Sequence, residues 1–311
     1  MAVSSVPPRM PPRLPASLSP DGLCDAQFLA ALEHLRLVAR RVAPRGWFAE
    51  QRSRDKGSGI EFRDYRSYTA GDDLRAIDWN VYRRLGRLFL RLFEELEDLP
   101  LYLLPDVSRS AFLETPPRAL AGLRCALGLA SISLGQHDRV GVFPFADDLS
   151  VLVRPTGGKS RILGLAQRLS ELEPGGVTDL AKSLAKFDSL GLRQGLVCVI
   201  SDFFDPRGID AVLEALARVR HRLLLVRLVR ASDSAPDLAG DLRLIDCESG
   251  AIADVSVTPQ VLERYRAAYE RFREGLASFA VARGIGLLEL DVGADVVPQL
   301  ERLFATGTYV T

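Results

Sequence analysis

Cysteine and histidine are scarce in this 311-residue chain, and the few present are dispersed. Cys24, Cys125, Cys198 and Cys247 form no CxxC pair and lie far apart in sequence. That spacing argues against a disulfide framework and against a zinc knuckle, both of which need thiols at short, regular intervals. Cys198 sits in an apolar run and reads as a small core residue. His34, His137 and His221 are equally scattered, so each reads as an isolated surface or core histidine. An excess of one charge is missing too. Lys+Arg and Asp+Glu both number 40, and the signs interleave along the whole chain. A general hold on nucleic acid needs a basic surplus or stripe and is not expected. No apolar run approaches the ~18 residues that span a bilayer. The first residues lack the apolar core of a signal peptide, so the expected compartment is a bacterial-type cytoplasm.

Hydrophobic residues are plentiful, at 47%, enough to bury a full core. The length suits one large α/β domain with a smaller appended module. Six of the 18 prolines fall within the first 20 residues, among Ser and Ala. Such a segment cannot pack, and residues 1–24 are expected to be a disordered tail. From Asp25 to Arg41, Phe28, Leu29, Leu32, Leu35 and Val38 recur at helical spacing, and Pro44 ends that helix. Residues 45–100 carry Gly57, Gly59, Gly71 and many charges, with alternating runs around Ile60, Phe62, Leu88, Leu90 and Leu92. These predict short strands, so residues 25–99 read as a helix plus a small β-rich module.

A βα rhythm then fills residues 100–311. Strands are predicted at LYLLPD (101–106), RVGVFPF (139–145), GLVCVISDF (195–203), RLLLVRLV (222–229) and GIGLLELDV (284–292). LSVLVRP (149–155) reads as a hairpin partner of the second strand. Helices are predicted over about 117–134, 159–172, 180–190, 209–219 and 296–305. A further hairpin joins LRLID (242–246) to AIADVSV (251–257) around Ser249-Gly250. Thr258 and Pro259 open a long helix expected to bury Leu262, Tyr265, Tyr269, Phe272, Leu276 and Phe279. Strands alternating with helices of this length imply a mainly parallel sheet covered on both faces. Ligands of such sheets sit outside the carboxyl ends of the strands.

Three pieces at those ends carry oxygen donors. They are Asp106-Val107-Ser108-Arg109-Ser110 after the first strand, Gly176-Val177-Thr178-Asp179 before a helix, and Ser201-Asp202 ending GLVCVISDF. All are hard donors, with no Cys or His, which suits Mg²⁺ or Mn²⁺ over zinc or copper. Asp106 and Asp202 supply two charges, and Ser108, Ser110 and Thr178 supply neutral hydroxyls. With Asp202 acting through water, such an ion keeps one position suited to an anionic ligand, such as a partner's Glu or Asp. Any one of these residues alone could be an ordinary turn or helix cap; the order of the three pieces is the signal.

In that order the pieces resemble the metal-ion-dependent adhesion site of von Willebrand factor type A domains. The surrounding text is more specific. GSGIEFRDYRSYTAGDDLRAIDWN (57–80), LLPDVSRS, GGVTDL, VISDFFDP and LRLIDCESG together resemble a bacterial and archaeal family of type A-like proteins, domain-of-unknown-function family fifty-eight. The likeness runs over roughly residues 25–305. It implies a type A-like fold with Asp106, Ser108, Ser110, Thr178 and Asp202 as the metal ligands, direct or through water. It also implies association with MoxR-type AAA+ ATPases and a role in assembling or activating other protein complexes. Two departures stand out: Ala111 where relatives often carry Met, and the added Val177 in a loop usually written GGTD.

Other signals carry less. Pro155-Thr156-Gly157-Gly158-Lys159-Ser160 resembles the end of a phosphate-binding loop, but Val153 stands where its first glycine belongs. It reads as a tight turn capping a helix. No GxSxG elbow occurs. A Mg²⁺-dependent phosphoryl-transfer or hydrolytic enzyme built on Asp106, Asp202 and Asp205 is the alternative to a non-enzymatic binding module, though Ser108 stands where a second carboxylate would be wanted. The run Asp72, Asp73, Arg75, Asp78, Trp79 reads either as a salt-bridged brace of the small module or as a docking epitope anchored by Trp79.

Overall fold

The computed structural model describes residues 20–42, 60–69, 72, 77–95, 100–136, 138–158 and 161–306. The expectations placed on residues 1–19, Pro44, Gly57, Gly59, Gly71, Asp73, Arg75, His137, Lys159 and Ser160 lie outside them. In chain order the strands are β1 (Ile60–Ser67), β2 (Phe89–Glu95), β3 (Leu101–Pro105), β4 (Val140–Val142), β5 (Val153–Thr156), β6 (Leu196–Ser201), β7 (Arg222–Val229), β8 (Gly240–Ile245), β9 (Ile252–Val257) and β10 (Gly286–Asp291). The helices are α1 (Pro20–Leu23), α2 (Ala26–Val42), α3 (Trp79–Leu85), α4 (Arg118–Gly135), α5 (Ile162–Ser170), α6 (Leu180–Ser189), α7 (Ile209–Arg218), α8 (Ala231–Ser234), α9 (Pro259–Arg283) and α10 (Val296–Thr306).

Six strands form the central sheet in the order β10-β7-β6-β3-β4-β5. All neighbours are parallel except β4 and β5. Counted within the sheet alone, the order from the β5 edge is 3-2-1-4-5-6, the doubly wound order with an antiparallel edge strand. This is the von Willebrand factor type A-like architecture that the resemblance implied. The winding reverses between β3 and β6, so the crevice for ligands opens beyond their carboxyl ends.

Period-two alternation divides the buried strands between two cores. Leu103, Cys198, Ile200, Leu224 and Val226 face a layer built by Phe28, Leu32 and Leu35 of α2, by α4, and by Leu300 of α10. Tyr102, Leu104, Val197, Val199, Leu223 and Leu225 face Leu184 and Phe187 of α6, Val212 and Leu216 of α7, and Leu276 of α9. Helix α2 thus belongs to the core of the main sheet, and so does the fully buried Leu23 of α1. Among the described residues no helix is long and apolar enough to cross a membrane.

Three local expectations change. The strand predicted over 139–145 ends at Val142, because Pro144 has no amide to give the ladder. Phe143 and Phe145 still donate to Leu103 and Pro105 at 2.8 and 3.0 Å. The small module contains an unanticipated helix, α3, between β1 and β2. Asp78 caps it by accepting from the Asn80 and Val81 amides, and Gly86 ends it at φ 65°. Helix α9 buries less than its pattern promised. Only Leu276 and Ala280 are buried, and Tyr265 is 41% exposed. Only its C-terminal half joins the sheet core, while Phe272 stacks on Phe204 at 4.9 Å between ring centres.

Candidate functional site

The site is assembled at the switch point by two loops fastened to each other. The Asp106 amide continues the sheet by donating to Ile200 O at 2.9 Å, and Val107 N donates to Phe145 O at 2.9 Å. The Gly-Gly loop then lies against this turn: Gly175 N donates to Val107 O at 2.6 Å and Arg109 N to Gly176 O at 3.2 Å. Gly175 has to be glycine, since a Cβ there would stand 2.4 Å from the Ala146 Cβ. Asp179 caps α6 by accepting from Lys182 N at 2.8 Å, which fixes Thr178 just before the helix. The extra Val177 is absorbed in this turn, and Thr178 remains buried.

Four of the five sequence-derived residues come together through a chain of hydrogen bonds. The Ser108 amide donates to Asp106 Oδ1 at 2.9 Å. Ser108 Oγ and Ser110 Oγ are 3.0 Å apart. Ser110 Oγ and Thr178 Oγ1 both donate to one oxygen, Oε1 of Glu248, at 2.7 and 3.1 Å. Thr178 N donates to the other, Oε2, at 2.9 Å. Ser108 is fully buried, and Asp106 and Thr178 are 6% and 5% exposed. Asp202 is turned differently. Its Oδ1 accepts from Phe204 N at 3.1 Å, and its Oδ2 lies 3.8 Å from Arg118 Nε. Beside it, Phe203 adopts φ 62°, a strained conformation for a bulky side chain.

Charge is concentrated and imperfectly balanced here. Burial pushes Asp106 above its ordinary range against the pull of its bonds from Ser201 and Ser108, and the Glu248 carboxylate adds to the rise. Burial and then the Asp106 carboxylate push Asp202 up to about 7, opposed by Arg118. Arg118 itself is committed to Asp233, donating from both terminal nitrogens at 2.9 and 2.5 Å. Burial works against its charge, but Asp233, Asp202 and Glu114 together move its pKa further up. Among the described residues, no group of three or more His, Cys, Asp and Glu side chains is arranged to hold a metal by itself. The donor set is therefore hydroxyl-rich: hard oxygens only, with Asp106 facing two further carboxylates. A small divalent cation would fit that chemistry and relieve that repulsion.

Two participants escaped the sequence reading, and a third, Ser201, reads there only as an oxygen donor beside Asp202. Ser201 Oγ donates to Asp106 Oδ2 at 2.6 Å and accepts from Phe203 N at 3.0 Å, so it orients the carboxylate. Arg118, at the start of α4, belongs to no motif that the sequence singles out. Glu248 sits in the hairpin string LRLIDCESG, 138 residues from Ser110, and no local spacing ties the two.

The family model described as "Protein of unknown function DUF58" matches residues 64–275, more than half of the chain. An uncharacterized protein of Mycobacterium tuberculosis is 26% identical over 299 residues, covering 94% of this chain and 93% of that one. An uncharacterized protein of Mycobacterium avium is 28% identical over 125 residues, covering 40% of this chain and 73% of its own length. Among solved structures, the conserved hypothetical protein BatB of Bacteroides thetaiotaomicron aligns with a TM-score of 0.38 at 13% identity, over 67% of this chain and 98% of that one. The manganese-loaded TRAP protein of Plasmodium vivax aligns with a TM-score of 0.31 at 21% identity, over 42% of this chain and 57% of that one.

Proposed function

This chain belongs to the DUF58 family, and we propose that it is a non-enzymatic protein-binding module that grips a partner's carboxylate through a Mg²⁺- or Mn²⁺-type ion at the switch-point face. The observation that carries this reading is the convergence of Asp106, Ser108, Ser110 and Thr178 at the carboxyl ends of β3 and β6, although they come from two separate loops. Asp106 and the three hydroxyls would hold the ion, and Asp202 would act through water. The ion would supply a positive point able to take an anionic ligand. The surrounding residues position rather than transform: Ser201 orients Asp106, and Arg118 holds its end of the sheet through Asp233. The partner is a MoxR-type AAA+ ATPase or its client, and the module works in the cytoplasm as an adaptor.

The test is retention of a purified MoxR-type AAA+ ATPase on the immobilised full chain, in Mg²⁺ and in chelator, beside Mn²⁺ titration by calorimetry. Retention is expected only with metal, and Asp106→Ala should abolish both retention and the heat of Mn²⁺ uptake. Equal retention in chelator, or unchanged Mn²⁺ heat in the variant, would remove the ion from the account. Chelator-sensitive turnover of a phosphate ester by the purified chain would favour an enzyme instead.

A further inference from the structure

The β8–β9 hairpin is an odd element to find at a functional face. Its strands are largely exposed, with Ile245 and Ile252 at 65% and 63%, so no apolar core of its own holds it down. Exposed two-stranded ribbons are marginal unless something pins them. Its tip, by contrast, is fixed by its own bonds. Asp246 Oδ1 accepts from Glu248 N at 2.9 Å and Ser249 N at 2.6 Å, and Gly250 closes the turn at φ 73° with its amide on Asp246 O at 2.9 Å. Glycine takes that φ without strain. The turn presents Glu248 to the switch-point face.

Glu248 does not land at an arbitrary place. One of its oxygens receives both Ser110 Oγ and Thr178 Oγ1, the two hydroxyls contributed by different loops, and its other oxygen receives the Thr178 amide. A carboxylate touching both of those donors stands where the anionic ligand of an ion held by them would stand. It also brings a further negative charge toward the buried Asp106. Hydrogen bonds alone offset such an approach weakly; a cation between the carboxylates would turn it into attraction.

We propose that Glu248 is the chain's own carboxylate ligand for the ion, so that the hairpin closes the site in cis and a partner must displace it. The inference rests on the metal-dependent reading above and adds to it the class of partner. That partner brings an acidic side chain on a protruding loop, and it competes with a tethered rival whose effective concentration is of order millimolar. Glu248 is a ligand and a gate at once: with the hairpin docked the ion is satisfied, and with the hairpin lifted its anionic position faces the partner.

Full-length protein and Mn²⁺ alone suffice to test this. Affinity is read by calorimetry, hydrogen exchange is followed at residues 240–257, and water-proton relaxation reports the water bound directly to Mn²⁺. The variant is Glu248→Gln, whose carbonyl oxygen can still accept from the Ser110 and Thr178 hydroxyls but which loses the acceptor for Thr178 N and carries no charge. Comparing each protein with and without Mn²⁺ then separates an ion ligand from a hydrogen-bonded latch. In the wild type, Mn²⁺ should bind and slow exchange at the hairpin tip. In Glu248→Gln, affinity should fall on the order of tenfold, the Mn²⁺-induced slowing should vanish, and relaxation should rise as water replaces the carboxylate. Equal affinity in both proteins, with the hairpin indifferent to Mn²⁺, would overturn the role of Glu248 while leaving the ion site standing. A wild-type protein that takes up no Mn²⁺ would overturn both together.

Discussion

Strands β3 and β6 end in two different kinds of polar environment. At their amino ends, Tyr102 meets Phe143, Phe187 and His221 with ring centres 6.0, 5.5 and 5.3 Å away. The Tyr102 hydroxyl donates to Arg193 O at 2.6 Å, and Gly195 N donates to His221 Nδ1 at 3.2 Å. Each of these polar groups meets a neutral partner inside apolar packing. Four residues further along the chain, just past the end of β3, Asp106 faces Glu248 and Asp202, and burial raises it instead of quieting it. One buried strand therefore carries a closed, self-satisfied end and an end where like charges collect. Folding alone favours the first kind. The second is the sort of local cost that proteins keep where a site needs it.

The comparison can be broken first at the aromatic end. Phe187 is fully buried and touches Tyr102, Phe143 and His221. Phe187→Ala should cost about 3–5 kcal/mol in urea denaturation, by lost burial plus the cavity left behind. A loss under about 1 kcal/mol would mean that the cluster collapses freely and is no keystone. The carboxyl end should respond otherwise. Asp106→Asn in chelator should leave stability within about 1 kcal/mol of wild type, because relief of a buried charge offsets weakened bonds from Ser108 and Ser201. The same variant should lose Mn²⁺ uptake. Should it cost as much as Phe187→Ala, the two ends would be equally structural and the contrast would fail.

Legibility in the sequence follows the same divide. The strands of the sheet were readable because β6 and β7 are continuous apolar runs bounded by turn residues, the mark of strands buried on both faces. The meeting of the two polar loops was readable because DxSxS and GGVTD follow and precede regular elements, so topology alone sends them to one edge. What could not be read depends on contacts across the chain. The burial of α9 was overestimated because its apolar spacing continues past the part that covers the sheet. Arg118 was missed because its partner Asp233 lies 115 residues away. Glu248 was visible as a letter in a hairpin tip, but where that tip lands is decided by how the separate β8–β9 hairpin projects between α8 and α9, which no local pattern encodes.

The smallest expected effect tests the aromatic end by pH. The His221 ring is half-buried, and burial holds its pKa below the ordinary 6.5, with Asp188 pulling weakly the other way. Its Nδ1 accepts the Gly195 amide, so the folded protein needs that nitrogen unprotonated. A depressed basic group means that the unfolded chain binds the proton more readily. The contribution is therefore present above the unfolded value of 6.5 and is lost as pH falls below it toward the folded value. His221→Phe keeps a ring against Tyr102 and Phe187 but cannot accept from Gly195, so it should lose a constant amount at every pH. Urea midpoints at pH 8, 7, 6 and 5 should show the wild type falling toward the variant as the solution is acidified. Two parallel profiles would mean that His221 titrates freely, and the amino end would then be less closed than its contacts imply.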